Sequence, residues 1–169
     1  FNTSITGGQA QLSVRRAGGK VESITVKIPA GIEDGEKMRL RGQGEPSPSG
    51  GPPGDLMITV RVAAHPCFRR RGKDLELSVP VTLAEAALGA KIDVPTPQGE
   101  ISLKVPAGTS SGKRLRLKGL GVPAADGSRG DLYAEIQIVI PESLDEESLE
   151  LVRRFDKRRV VQPRADLKW

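Results

Sequence analysis

His65 and Cys67, in the segment HPCF, have the residue types and spacing that a catalytic pair or a metal site would use. Two positions apart on an extended chain, their side chains would point to the same side of the backbone. A zinc site needs about four ligands and a catalytic pair needs an orienting group, but the sequence holds no second histidine or cysteine. We therefore interpret the segment as a turn at the end of a strand, and we predict no metal, no cofactor and no enzymatic activity.

The stretch GTSSGKR, at residues 108–114, has some features of a phosphate-binding loop. That loop requires four residues between its glycines and a serine or threonine after its lysine. Here three residues separate the glycines, and Arg114 follows Lys113. A tight turn between two strands accounts for the stretch, so we expect no bound nucleotide.

Two basic clusters, FRRRGKD at 68–74 and RRFDKRR at 153–159, could contact the phosphates of a nucleic acid. The chain carries a net charge of +5, but its basic residues are interspersed with acidic ones. Neither cluster has a series of aromatic residues interleaved with its basic ones for stacking on bases, and the sequence has no helix-turn-helix or zinc-finger spacing. A solvated basic surface is the simpler interpretation, and nucleic-acid binding is the alternative function.

The sequence segments that must position any site occur twice in this chain. PAGIEDGEKMRLRGQG at 29–44 matches PAGTSSGKRLRLKGLG at 106–121, an offset of 77 residues. The match resumes at an offset of 76, where GDLMITVRV from Gly54 meets GDLYAEIQI from Gly130. Solenoid units are repeated three or more times with a period of about 20 to 50 residues, so this duplication is of another kind. It predicts two similar domains in tandem.

Apolar and polar residues alternate within each copy, as they do in half-buried β-strands. Aromatic residues are only 3% of the sequence, so the core must be aliphatic. Many short strands punctuated by glycine and proline predict an all-β fold of two sandwich-like or barrel-like domains, at 1–72 and 73–142. The predicted strands are 11–15, 23–28, one strand containing Met38 and Leu40, 56–62, 75–79, 91–94, 100–105, one strand containing Leu115 and Leu117, and 132–138.

Two helices are predicted beside these strands. In TLAEAALG, Thr82 and Glu85 form a capping box and Gly89 ends the helix. In SLDEESLELVRRFDKRR, Ser143 and Glu146 stand in the same relation, with acidic residues early and basic residues late, as the helix dipole favours. This second helix can present one apolar stripe, formed by Leu144, Leu149, Val152 and Phe155.

These motifs together resemble the C-terminal substrate-binding region of DnaJ-type co-chaperones. The resemblance covers residues 1 to about 159 and rests on VKIPAGIEDGEKMRLRGQGEP, GDLMITVRVAAHPCFRRRGKDL, VPVTLAEAALGAKIDVPTPQG and GDLYAEIQIVIPE. It implies a cytoplasmic protein that holds non-native polypeptides by their apolar segments and hands them to a heat-shock chaperone of the seventy-kilodalton class. The four-fold cysteine motif of the zinc-containing subfamily is absent, so the resemblance is to the zinc-free subfamily or to the type called curved-DNA-binding.

The resemblance also implies a peptide groove on the first domain, between its first strands and a phenylalanine of the HPxF segment. By position, these residues are Leu12, Val14 and Phe68, with Phe1 and Ile5 aligned less directly. Leu12 and Val14 would share one face of a strand, which is the geometry that a strand-adding peptide needs. The alternative is that both are ordinary core residues of the first domain.

The helix within 143–169 is the dimerisation element that the resemblance implies. Its stripe of Leu149, Val152 and Phe155 needs a covering surface, because isolated helices shorter than about 12–15 residues are marginal in water. A second copy of the chain, giving a homodimer, or the chain's own second domain would supply that surface.

Overall fold

The computed structural model describes residues 1–16, 19–46, 51–124 and 126–165. The chain divides into two compact units, Phe1–Ile138 and Val139–Trp169. The predicted boundary between residues 72 and 73 falls inside the first unit and stays a prediction. The end of the predicted dimerisation segment, residues 166–169, lies outside the described residues.

Strands dominate the secondary structure and the helices are few, which confirms the predicted all-β class. In the described part of the chain, the strands form one four-stranded sheet in the order β5-β6-β10-β9 and three two-stranded ribbons, without closing a barrel. In chain order the elements are α1 (Asn2–Thr6), β1 (Gly8–Arg15), β2 (Val21–Ile28), β3 (Lys37–Leu40), β4 (Leu56–Thr59), β5 (Phe68–Arg71), β6 (Asp74–Thr82), α2 (Leu83–Leu88), β7 (Ala90–Thr96), β8 (Gly99–Val105), β9 (Arg114–Leu117), β10 (Leu132–Val139) and α3 (Glu146–Arg158).

All predicted strands are present, and β5 is an additional one. Its sequence FRRR alternates half-buried Phe68 and Arg70 with exposed arginines, and Phe68 lies opposite Leu77 of β6. Because three successive arginines are typical of a solvent-exposed segment, the sequence did not indicate this alternation of half-buried and exposed residues. Because β4 already ends at Thr59, HPCF is a bend that leads into β5, and its prediction as a turn at the end of a strand is corrected.

Helices α1 and α2 occupy the same place in the two copies. The predicted capping box of α2 is confirmed, because Thr82 and Glu85 each accept the backbone N–H of the other. Helix α1 lacks a side-chain cap and therefore left no signal in the sequence. Both helices end at a glycine with positive φ, 75° at Gly7 and 81° at Gly89. A Cβ on Gly7 would lie 3.0 Å from the backbone nitrogen of Ala30, and a Cβ on Gly89 would lie 2.9 Å from that of Ala107. Since Ala30 and Ala107 are equivalent residues of the two Pro-Ala-Gly turns, the duplication begins with these helices.

Helix α3 lies in the second compact unit, and none of its residues is buried. Its N-cap is Asp145, whose carboxylate accepts the N–H of Ser148 at 2.8 Å. The predicted capping box of Ser143 and Glu146 is therefore wrong, because Asp145 lies closer to the first turn and takes the capping role. The hydrogen bonds from Ser148 hold the pKa of Asp145 below its usual range. None of the described helices is long and apolar enough to span a membrane.

Two hairpins, β3–β4 and β9–β10, have the same register in the two copies. Leu40 lies opposite Leu56 in the first copy, and Leu117 lies opposite Leu132 in the second. The offset of 77 residues before the loop and 76 after it therefore leaves the strand pairing unchanged. The loop between the strands absorbs the length difference, as loops generally do.

An aspartate carboxylate closes each of these hairpins. Asp131 accepts the N–H of Gly119 at 2.8 Å and pairs with Arg116, and these interactions hold the pKa of Asp131 below its usual range. Asp55 makes the same contacts in the first copy, with Gly42 and an arginine of β3, and its pKa is lowered by the same causes. The aspartate of each GDL segment is therefore a structural residue that ties the loop to the first strand of the hairpin.

The hydrophobic core lies mainly in the second copy. Ile5, on α1, is 2% exposed and is the first copy's contribution to the main buried cluster. Val26 and Ile32 are also buried in the first copy, at 2% and 3% exposure. The remaining members of the cluster are Leu75, Leu77, Val79, Val81, Ala86, Val94, Leu103, Val105, Val122, Leu132, Ala134 and Ile136.

Candidate functional site

The ribbon of β1 and β2 carries the predicted groove residues Leu12 and Val14. Both are half-buried and alternate with exposed neighbours, so they do share one face of the strand as the period of two predicted. Leu12 lies opposite Ile24 on β2, which is also half-buried. Within the described ranges, β1 and β2 pair with each other alone. Each therefore has one edge without a strand neighbour, where a further strand can add.

Phe1, His65 and Phe68 form an aromatic cluster beside α1. The ring centroid of His65 lies 5.1 Å from that of Phe1 and 5.1 Å from that of Phe68. The two phenylalanine rings are stacked, with centroids 6.4 Å apart. Nδ1 of His65 accepts the N–H groups of Cys67 and Phe68, each at 3.2 Å. His65 therefore fixes the bend that presents Phe68, which explains the HPCF segment without a metal or a catalytic pair.

A cavity of about 300 Å³ lies against this cluster. Phe1 and Phe68 line it together with Pro95 and Pro97 of the β7–β8 hairpin. Ile5 also borders the cavity, but it is 2% exposed and belongs to the core. A concave site with largely apolar walls suits a large apolar side chain.

A wider trough of about 1020 Å³ shares Phe1, His65 and Phe68 with that cavity. Its other walls are mixed, with charged residues such as Glu33, Arg70 and Glu76 beside apolar ones such as Val62 and Leu77. The aromatic cluster therefore borders both a largely apolar cavity and a trough of mixed polarity.

Arg70 holds this cluster to the first copy. Its guanidinium donates to the carbonyls of Gly31 at 2.8 Å and Ile32 at 2.7 Å. Because Phe68 lies two residues earlier on the same strand face, these bonds also fix the position of its ring. Arg71 pairs with Glu76, so arginines of the basic cluster at 68–74 are engaged within the fold.

The predicted groove residues therefore form two groups. Phe1, Ile5 and Phe68 come together at the cavity, whereas Leu12 and Val14 lie on the β1–β2 ribbon and line neither concavity. His65 had a visible signal in HPCF, but its role in the bend was not predicted. Pro95 and Pro97 had no signal in the sequence, because they reach the cavity from a hairpin that is distant along the chain. In the described part of the chain, no group of three His, Cys, Asp or Glu side chains could hold a metal ion.

The fold and the site define an all-β class of protein with a duplicated unit and a cavity lined by aromatic residues. Comparison with known families identifies the family within this class. Residues 1–141 match the family described as the DnaJ C terminal domain, and the chain belongs to that family.

Individual relatives are similar over most of this chain. "Chaperone protein DnaJ" of Geobacillus thermodenitrificans (strain NG80-2) is 49% identical over 139 residues, which are 82% of this chain and 36% of that protein. "Chaperone protein DnaJ 2" of Cutibacterium acnes is 48% identical over 135 residues, 79% of this chain and 36% of that protein. "Curved DNA-binding protein" of Pseudomonas putida (strain GB-1) is 45% identical over 151 residues, 89% of this chain and 48% of that protein. The chain thus spans between a third and a half of the length of these relatives.

Proposed function

We propose that this chain binds non-native polypeptides and serves a co-chaperone that delivers them to a heat-shock chaperone of the seventy-kilodalton class. The observation that carries the proposal is the apolar face of Leu12, Val14 and Ile24 on a ribbon whose two outer edges have no strand neighbour among the described residues. The family and the chaperone names of its relatives support it. The zinc-free subfamily, a cytoplasmic location and the lack of enzymatic activity belong to the same proposal.

The binding step follows from strand geometry. An extended client segment adds to an open edge of the ribbon, and its backbone forms hydrogen bonds irrespective of its sequence. Its alternate side chains then lie over the face of Leu12 and Val14, which gives a preference for apolar residues. Phe1 and Phe68 receive a bulky client side chain in the 300 Å³ cavity. Such binding is broad in specificity, as a protein that holds many unfolded chains requires.

Leu12→Asp is expected to reduce the suppression of aggregation of a denatured client protein, measured by light scattering without ATP. The introduced carboxylate would lie in an apolar contact and would lose hydration when a client docks, which costs several kcal/mol unless it is compensated. The matched control is Ser13→Asp, which places the same charge on the opposite, exposed face of β1. If a folded Leu12→Asp variant protects the client as well as Ser13→Asp does, the ribbon is not the site.

We also propose that α3 pairs two copies of the chain into a homodimer. Its apolar stripe is exposed within its own unit, with Val152 at 47% and Phe155 at 62%, while Leu149 is half-buried. Exposed apolar stripes of this kind mark interaction surfaces, and the same face on a second copy is self-complementary under two-fold symmetry.

Phe155→Glu is expected to convert the dimer to a monomer, because it places a charge on the apolar stripe of the proposed interface. Size-exclusion chromatography with multi-angle light scattering gives the mass directly. Lys157→Glu introduces the same residue outside the stripe and is expected to keep the dimer mass. A dimer that survives Phe155→Glu would place the interface elsewhere.

Binding to duplex DNA is the second candidate function, favoured by the similarity to a curved DNA-binding protein and by the net charge of +5. Against it, Arg70, Arg71, Arg153 and Arg154 already bond to groups within the fold or within α3. DNA binding would weaken steeply with added salt, whereas binding of an apolar client would not.

A further inference from the structure

Acidic and basic side chains occupy opposite ends of α3. The acidic ones at its start are Asp145, Glu146, Glu147 and Glu150. The basic ones at its end are Arg153, Arg154, Lys157, Arg158 and Arg159, with Asp156 as the one acidic residue among them. This order suits the dipole of the helix itself. It also gives any helix that lies along the apolar stripe of α3 two regions of opposite charge to contact.

Ion pairs within α3 engage several of these charges. Arg153 contacts Glu146 at 3.1 Å and Glu150 at 3.5 Å. In the part of the chain that the structure describes, Glu147 and Arg158 form no ion pair, and both side chains are exposed. One acidic and one basic side chain at opposite ends of the helix are therefore available to a partner.

Glu147 and Arg158 lie along the same flank of the apolar stripe. Glu147, Leu151, Arg154 and Arg158 follow one another at intervals of four, three and four residues, so they form one row along the helix. Leu151 in this row is 60% exposed and extends the apolar surface. The row has the same spacing in both directions. A second copy that runs the opposite way therefore places its Arg158 beside Glu147, and its Glu147 beside Arg158.

The charges distinguish between two orientations that the apolar stripe alone leaves equivalent. In a parallel pair related by two-fold symmetry, the acidic turn of one copy would lie beside the acidic turn of the other, and the basic turns would meet in the same way. Like charges at such distances are destabilising by about as much as opposite charges are stabilising. An antiparallel pair replaces both repulsions by attractions.

We propose that two copies of α3 pair in antiparallel orientation and that Glu147 of each copy forms an ion pair with Arg158 of the other. This inference rests on the proposed homodimer, and it adds the orientation of the helices and the residues that determine specificity. The partner of the exposed stripe is a second copy of this chain, because the order of charges along α3 is complementary to its own reverse. Leu151, Val152 and Phe155 lie between the two helices.

Charge reversal in the intact chain tests the ion pair. Glu147→Lys and Arg158→Glu are each expected to weaken the dimer about tenfold in sedimentation equilibrium, because symmetry turns two attractive contacts into repulsive ones. The double variant, Glu147→Lys with Arg158→Glu, is expected to restore the parent affinity. Glu146→Lys and Lys157→Glu are the matched controls, since they make the same changes in the first and last turns on the face away from the stripe. Each control is expected to stay within about twofold of the parent, because exposed charges at that distance are screened by salt.

Cysteine cross-linking reports the orientation independently, in the intact chain with Cys67→Ser. Val152→Cys lies near the two-fold axis and is expected to form a disulfide between copies on oxidation. Ser148→Cys alone is expected to form none, because its two copies would lie more than about 12 Å apart along the helices, whereas a disulfide needs Cα atoms within about 7 Å. A mixture of Ser148→Cys and Asp156→Cys chains is expected to cross-link, since these positions would lie side by side.

The outcomes separate the orientation from the dimer itself. A disulfide formed by Ser148→Cys alone would overturn the antiparallel arrangement and leave the dimer in place. Single reversals with the parent affinity, or a double variant as weak as either single one, would overturn the pair of Glu147 and Arg158. A parent chain with the mass of a monomer, or a dimer in which Val152→Cys does not cross-link, would instead overturn the α3 dimer of the proposed function.

Discussion

Gly130→Ala is expected to lower the free energy of unfolding by about 3 kcal/mol, because overpacking against fixed backbone costs that much when nothing can rotate away. The new Cβ would overlap the carbonyl of Lys73 and lie 2.8 Å from Oδ1 of Asp74. Relief requires the turn before β6 to move. That movement breaks the bond from the N–H of Leu75 to the carbonyl of Asp131, which joins β6 to the start of β10.

Gly54→Ala is the matched control, since it makes the same change at the equivalent position of the first copy. Its Cβ would have no other heavy atom closer than 3.9 Å, so the change in stability is expected to be within about 0.5 kcal/mol, as at ordinary surface positions. Urea unfolding followed by circular dichroism measures both variants. Similar losses in the two would mean that β6 does not approach Gly130 as closely as described.

The alternation of apolar and polar residues predicted the strands because it is a local property of each segment. The same property placed Leu12 and Val14 on one face. It could not predict that Leu132 is fully buried while Leu56 is half-buried, since the two lie in nearly identical sequences. That difference depends on whether a distant strand, β6, lies alongside. Repetition in sequence therefore predicts shared local structure but not shared burial.

The compactness of residues 1–138 has a similar non-local origin. The predicted boundary after residue 72 is crossed by Arg70, which binds the Pro-Ala-Gly turn of the first copy while its strand pairs with β6 of the second. A Cβ on Gly31, in that turn, would overlap the carbonyl of Pro123 in the second copy. These approaches rely on backbone carbonyls and on a glycine, which carry no distinctive pattern in the sequence. The resemblance named Phe1 and Phe68 together, but no local pattern predicted that His65 contacts both rings.

Leu132→Ala is expected to lower the free energy of unfolding by about 3 to 4 kcal/mol, whereas Leu56→Ala is expected to cost about 1 to 2 kcal/mol. Both leucines begin their strand and lie opposite a leucine on the neighbouring strand. Leu132 is 0% exposed and would leave a cavity in the main core. Leu56 is half-buried, so water can enter the space that its side chain leaves and part of its apolar surface was never removed from solvent.

The pair isolates burial from sequence, because residue type, strand position and cross-strand neighbour are the same in both variants. Urea unfolding gives each loss of stability, and hydrogen exchange reports whether opening begins in β4 or in β10. Equal costs would show that the first copy already buries its strand as completely as the second.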